Sequence, residues 1–223
     1  MHALCLQLSI MTAMSDSLHV PRAEFSIDEP WAVPPACNPV RLRRAEDAAP
    51  PRLATTVAAY FDDEQVTFVF SATDDDVVAT MYGHDLPLYE EDVVEVFLAP
   101  RALTEYFEFE VSPTGATFDA SIVSPDGVRA TMKVDRAWNC EGLFAAVSRR
   151  AELAGMQTLD VVIRIPFASI GQTIPASGEE WRGNFFRIDR HLRHGDEYSA
   201  WHPTMRSPAD FHVAAAFGRI VFA

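Results

Sequence analysis

Cysteine is scarce in this chain. Three residues, Cys5, Cys37 and Cys140, in 223 positions are too few for a disulfide framework. A single Cys37–Cys140 bridge and a pair of buried free thiols are both compatible with the sequence, since a free Cys behaves as a small hydrophobe. No CxxC or HExxH spacing is present, so no zinc site is signalled. Also missing are GxSxG, a Cys–His nucleophile motif and a phosphate-binding loop. Apolar runs are short, and none approaches the ~20 residues of a membrane-spanning helix. Basic residues are in deficit: Lys and Arg total 18 against 32 Asp and Glu, a net charge of −14. Such an excess of acid repels phosphate backbones and anionic headgroups, so neither nucleic acid nor a membrane surface is expected as a partner. It suits a metal cation or a neutral, hydroxyl-rich ligand.

Hydrophobic residues at 48% and charged residues at 22% are ordinary globular usage. The length fits one domain. The opening "MHALCLQLSIMTAMSDS" imitates a signal peptide poorly, because no Lys or Arg precedes its apolar stretch and Gln7, Ser9 and Thr12 interrupt it. Residues 1–23 therefore read as a disordered or mis-started extension, with Met14 as an alternative start. Residues 24–223 read as a single domain. As encoded, the chain is expected in the cytoplasm.

Helical periodicity is scarce. "VRLRRAEDAA" at 40–49, confined between Pro39 and Pro50, predicts at most a turn or two of helix. Elsewhere short β-rich runs alternate with turn residues. Thr55–Phe61 and Val66–Ser71 flank "DDEQ" as a hairpin. In "EYFEFEVS", Phe107, Phe109 and Val111 point one way, and Tyr106, Glu108 and Glu110 the other. About ten such strands predict an all-β fold, a two-sheet antiparallel β-sandwich. Phe68, Phe70, Val94, Val96, Phe107, Phe109, Val111, Val162 and Ile188 are its expected inter-sheet core. Trp181 and Trp201 look like core as well.

Charges in mid-strand mark where chemistry can lie, because burying them is costly unless they are paired or face a cleft. Glu95 interrupts "DVVEVFLA", Glu108 shares a face with Glu110, and Arg187 sits in "GNFFRID" with Phe185 and Asp189 on its side. Arg187 is expected within hydrogen-bonding reach of Glu95 or Glu108 at the floor of a concavity. There it would hold both carboxylates ionised. Carboxylates and a guanidinium suit sugar hydroxyls, and loop-borne rings such as Tyr89 and Phe211 suit the apolar face of a sugar. A glycoside hydrolase using Glu95 and Glu108 is the catalytic alternative. The acids Asp62 and Asp63, and Asp74 to Asp76, are candidates for calcium, although no EF-hand spacing is present.

The order of motifs "YFDDEQVTFVFSATDDD", "YEEDVVEVFLAP", "YFEFEVSPTGATFDA", "VVIRIPFASIG", "WRGNFFRIDR", "YSAWHPT" and "DFHVAAAFGRIVF" resembles the family 9 carbohydrate-binding modules and their single-domain bacterial relatives. The resemblance implies a β-sandwich of immunoglobulin-like or jelly-roll type. It implies recognition of glycan ends or small saccharides, structural calcium, and a link to xylanases and polysaccharide breakdown. It also suggests export. The family clamps a terminal sugar between two rings, usually Trp, whose positions fall here on Tyr89 and Phe211. Its polar contacts fall on Glu95, on Glu108 (where sugar-binding members carry a basic residue) and most plausibly on Arg187. The expected function is thus a non-catalytic carbohydrate-binding module with a saccharide as its partner; the oligomeric state is open. The second alternative is a structural or haem-binding relative, a DOMON-like sandwich recruiting Met81, His84, Met205 or His212.

Overall fold

The structure, a computed structural model, describes residues 17–223. Fourteen strands form two sheets. They are β1 (Ser17–Val20), β2 (Val40–Arg41), β3 (Arg43–Arg44), β4 (Thr55–Phe61), β5 (Gln65–Asp74), β6 (Val93–Ala99) and β7 (Glu105–Val111), then β8 (Thr117–Val123), β9 (Lys133–Asp135), β10 (Phe144–Ala151), β11 (Gln157–Pro166), β12 (Glu180–Asp189), β13 (Glu197–Ala200) and β14 (Gly218–Phe222). Among the described residues the only helical segments are four single 3-10 turns. The larger sheet runs β1-β14-β12-β6-β7-β8-β9, with β13 and β3 attached beside β12; the smaller runs β10-β11-β5-β4-β2. All ladders are antiparallel except β1 with β14.

The long strands are where the β-branched and aromatic runs lie, since such side chains fill a pleated, half-buried surface. Their turns carry their own chemistry. Asp62 Oδ1 accepts from the Glu64 and Gln65 N–H groups at 2.9 Å, closing the β4–β5 hairpin as an Asx turn. At Gly183 in β12, a Cβ would lie 2.7 Å from the Phe97 carbonyl oxygen and from Ile220 Cδ1, so the three neighbouring strands can pack this closely only without a side chain there.

The inter-sheet core contains Phe68, Phe70, Val94, Val96, Phe109, Val111, Phe185, Trp181 and Trp201, with half-buried Phe107 packed against it. Phe185 stacks on Trp201 at 5.2 Å. Val162 and Ile188 are buried but not between the sheets. Val162 belongs to the outer face of the small sheet, under Phe25 and Cys37, and Ile188 to the outer face of the large one. Both outer faces carry their own apolar clusters, so these two strands bury both sides and alternation alone did not select the inner one.

Two further expectations are corrected. Residues 40–49 form no helix: Val40 and Arg41 pair with β4, and Arg43 and Arg44 pair with β13. The sheets' unpaired edges claim this backbone. The excluded N-terminal stretch also begins to fold earlier than residue 24. Ser17–Val20 runs parallel to β14, with Leu18 and Val20 buried in the main core. Residues 1–16, with Cys5 and Met14, lie outside the described residues. Cys37 and Cys140 are both buried free thiols. Cys37 donates to the Ala59 carbonyl at 3.3 Å, and burial pushes its pKa up to about 11 and that of Cys140 up to about 12.

Candidate functional site

Register decides which side chains share the outer face of the large sheet. Glu95 lies opposite Glu110 and Phe186, and Phe97 lies opposite Glu108. Glu108 in turn faces Ala120, and Glu110 faces Phe118. Three segments fold over this face. One carries Tyr89, another Arg129 to Arg136, and the third Pro208 to His212; between them they leave a cavity of about 600 Å³. Small-molecule sites typically measure ~300–1,000 Å³.

Tyr89 stands at the cavity in a 3-10 turn and is 43% exposed. The loop that presents it is fastened from below. Asp92 accepts from the Val78 and Arg190 N–H groups, both at 2.7 Å. Glu91 accepts from the Thr80 and Met81 N–H groups at 2.6 and 3.0 Å. The Arg190 guanidinium reaches the Tyr89 carbonyl and the Tyr198 hydroxyl. Phe211 also lines the cavity but is only 8% exposed, stacked on Phe186 at 4.2 Å and 13°. Phe211 is thus part of the wall, whereas Tyr89 is the more open of the two rings.

The floor is acidic. Glu95, Glu108 and Glu110 are 2%, 6% and 2% exposed, and their carboxylate oxygens gather within 4.8 Å of one another. Burial pushes all three pKa values above the ordinary range, and repulsion from neighbouring carboxylates adds to it at Glu95 and Glu110; at Glu108, which rises to about 7, a hydrogen bond from Glu110 and the charges of Arg129 and Arg136 work against burial. Glu110 Oε2 has no hydrogen-bond partner. The floor therefore offers both protonated and ionised carboxyls near neutral pH. His212 leans over it with Nε2 3.9 Å from Glu108. Its Nδ1 shares a hydrogen bond with the Tyr106 hydroxyl at 2.9 Å. Burial and Arg129 lower its pKa to about 4, so the ring is neutral at pH 7. At the rim, Arg129 pairs with Asp210 at 2.6 Å, and Arg136 adds a second guanidinium.

Tyr89, Glu95, Glu108 and Phe211 thus meet at one cavity. Arg187 does not join them. It shares a face with Phe185 and points between the sheets. There it donates to Asp74 Oδ2 at 2.7 Å, the Thr73 carbonyl at 2.7 Å and Thr55 Oγ1 at 3.2 Å. Asp189 lies 3.8 Å away and is also held by Arg52. The expected Arg187–Glu pair is absent because strand parity puts Arg187 and Glu95 on opposite faces. Arg187 therefore does not hold the floor carboxylates ionised, and their pKa values rise instead. Glu110, two residues from Glu108 on the same face, was within reach of the alternation. Arg129, Arg136 and His212 sit on loops, where no periodicity points to them.

Four of the five candidate calcium ligands are taken up by arginines, and Asp76 lies 3.9 Å from His191 Nε2. Asp62 pairs with Arg164, Asp63 with Arg22, Asp75 with Arg52, and Asp74 with Arg187. Asp74, Asp92 and Asp189 do gather their oxygens within 4.8 Å. Two guanidinium groups and backbone N–H groups engage most oxygens of that cluster, and Asp189 Oδ1 is left buried without a partner. In a second group, His191 Nδ1 accepts from the Arg193 and His194 N–H groups, which leaves the ring proton on Nε2, the atom facing Asp75. That proton bars Nε2 from a metal. Of Met81, His84, Met205 and His212, only His212 lines the cavity. Met205 is exposed, and His84 has both ring nitrogens engaged by Thr117 and Asn139.

Comparison with known proteins agrees with this architecture. A Bacteroides uniformis protein assigned to carbohydrate binding superposes with a TM-score of 0.71 at 16% identity, over 93% of this chain and 99% of that one. A family 9 carbohydrate-binding module from Caldicellulosiruptor kristjanssonii solved with cellotriose gives 0.60 at 12% identity, over 92% and 93%. One from the same organism solved with glucose gives 0.58 at 14% identity, over 93% and 95%. A protein of Arthroderma benhamiae named "Extracellular protein" is 28% identical over 180 residues, covering 75% of this chain and 78% of that protein. The sequence profile of carbohydrate-binding family 9 matches residues 46–222, most of the chain, and the protein belongs to that family.

Proposed function

We propose that this module binds the end of a glycan, or a small saccharide, in the cavity on the outer face of the large sheet, and does not cleave it. The observation that carries the reading is the combination in one cavity of an exposed, loop-borne Tyr89 and a floor of three carboxyls. A sugar presents the complementary pair of surfaces, an apolar ring face and hydroxyls that both donate and accept. Family relatives solved with glucose and cellotriose support the ligand class. Against cleavage stands the arrangement of the acids. Glycosidases set two carboxyls on either side of the scissile bond, ~5–5.5 or ~6.5–9.5 Å apart. Here all three project from the adjacent strands β6 and β7 and line one floor, rather than flanking a bound sugar from two sides. We propose further that the protein acts outside the cytoplasm, in polysaccharide breakdown. The relative named "Extracellular protein" supports export, and no observation supports a cytoplasmic placement.

The test is calorimetric titration with glucose, cellobiose, xylobiose and mannobiose, alongside a reducing-sugar assay on xylan, cellulose and mannan. Ring stacking plus a few hydroxyl bonds amounts to ~4–8 kcal/mol, so saturable heat is expected in the micromolar to millimolar range. No reducing sugar should be released. Absence of heat with every sugar, or turnover that Glu95→Gln abolishes, would overturn the reading.

A further inference from the structure

The cavity floor is more acidic than hydroxyl recognition requires. Three buried carboxyls converge there, and among the described residues no Lys or Arg nitrogen comes within 4.0 Å of any of them. Arg187 is spent on Asp74, Arg129 pairs with Asp210, and Arg129 and Arg136 act on the floor only at longer range, from the cavity rim. The nearest titratable nitrogen, His212 Nε2, stands 3.9 Å from Glu108 on a ring that is neutral at pH 7. Glu110 Oε2, on a residue only 2% exposed, has no partner. Glu95 and Glu110 sit directly opposite each other across β6 and β7, an arrangement of like charges that destabilises a sheet. A hydrogen bond between Glu108 and Glu110 engages part of the triad but leaves Glu110 Oε2 over, so its partner is sought in the ligand.

We propose that the residue seated on this floor is an amino sugar, whose free, protonated amine is held by Glu95, Glu108 and Glu110. This rests on the saccharide reading above and narrows it to a chemical class. An ammonium carries three N–H donors, one for each carboxyl. With tetrahedral directions and N–O distances of about 2.8 Å, its acceptors lie about 4.6 Å apart. The oxygens of the triad gather within 4.8 Å. A hydroxyl offers a single donor and no charge, so it leaves the floor uncompensated, whereas charge-assisted bonds are roughly twice as strong as neutral ones. A calcium ion is the other cation to weigh. It asks for six to eight oxygen ligands. Around the triad, the remaining wall includes Phe97, Phe118 and Phe211, with few oxygens to complete that shell. Those rings suit the apolar body of a sugar that carries its charge at one end.

The test is titration of the whole protein at pH 6.5 in EDTA with glucosamine, its β-1,4-linked dimer, N-acetylglucosamine, glucose and cellobiose, then again with calcium chloride. Glucosamine is expected to bind at least tenfold more tightly than glucose. Acetylation, which keeps the ring and removes the charge, should erase that preference. Glu110→Gln and Glu95→Gln, each first shown to melt cooperatively, should narrow the glucosamine-to-glucose ratio. Equal affinity for glucosamine and glucose would overturn the inference while leaving the saccharide reading intact. No saturable heat with any sugar would overturn both. Binding that appears only with calcium would make the triad a metal site and overturn the amine assignment.

Discussion

Replacing Glu110 by Gln probes the frustration of the cavity floor directly. Glu110 is 2% exposed, faces Glu95 in register, and carries an oxygen without a partner. The three floor carboxyls hold folded-state pKa values above the ordinary carboxyl range, with Glu108 at about 7. In the unfolded chain they titrate near ~4.3. The folded protein therefore binds more protons than the unfolded one between those values. Stability held below the unfolded pKa is lost as pH rises through the folded pKa, from roughly 4.5 to beyond 7. A tenfold difference in proton affinity between the two states corresponds to about 1.4 kcal/mol, so the triad costs the unliganded protein a few kcal/mol at pH 8. Gln keeps the shape, removes one charge and relieves its two neighbours. Glu110→Gln should stabilise the protein by about 1–3 kcal/mol at pH 8, or ~2–4 °C in Tm per kcal/mol for a domain this size. At pH 5, where the floor is protonated, the two proteins should agree within ~0.5 kcal/mol. His212, with its pKa lowered to about 4, works in the opposite direction, and the other charges at the cavity, Arg129, Arg136 and Asp210, are unchanged in the variant. Comparing variant with wild type at each pH cancels these contributions to first order. The assay is thermal unfolding at pH 5 and 8 at fixed ionic strength. A variant that melts lower than wild type at pH 8 would show that Glu110 has a favourable partner and that the floor is not frustrated.

Arg187→Met should cost about 3–5 kcal/mol in chemical denaturation, because Asp74 is left buried without its guanidinium partner, while Asp189 keeps Arg52. It should leave saccharide affinity unchanged while the protein is folded; a loss of affinity at full folding would return Arg187 to the site. Tyr89→Ala should weaken saccharide binding at least fivefold in calorimetry with little change in Tm, since Tyr89 stands in a surface turn at the cavity and is 43% exposed. Phe211→Ala should also lower stability, by about 3–5 kcal/mol, because the ring is stacked on Phe186; equal Tm values for the two variants would contradict this division of roles. Cys37 and Cys140 should react with a thiol reagent only after denaturation, given their burial and raised pKa values; fast labelling of either in native protein would show the packing around it to be loose.

The β-sandwich was legible because alternation is local. Phe109 and Val111 lie in the inter-sheet core, and Phe107 packs against it from a half-buried position, all on the side that the period of two assigns. The same alternation placed Arg187 beside Phe185, and Phe185 packs on Phe68 and Phe70 between the sheets. Parity alone thus pointed Arg187 inward. What it lacked was the partner, Asp74, which lies 113 positions earlier on the other sheet. Strand pairing across such separations depends on how two sheets stack, and no local pattern encodes that. Ile188 and Val162 failed for a related reason: both sheets are covered on both faces, so a buried residue does not reveal which face it belongs to. Of the site, Tyr89, Glu95, Glu108 and Phe211 were legible from motif position. The rim arginines were not, because Arg129 and Arg136 are carried by an irregular segment and a strand end, whose path is set by the face it covers.

The central claim is that the cavity between the Tyr89 turn, the Arg129–Arg136 segment and the Pro208–His212 loop is where saccharide binds. Amide chemical-shift mapping during titration with glucosamine and cellobiose tests it most directly. Saturable shifts confined to residues 88–97, 108–110, 129–136 and 208–212 are the expected result. Shifts centred on β4, β5, β10 and β11, or no shifts with either sugar, would contradict it.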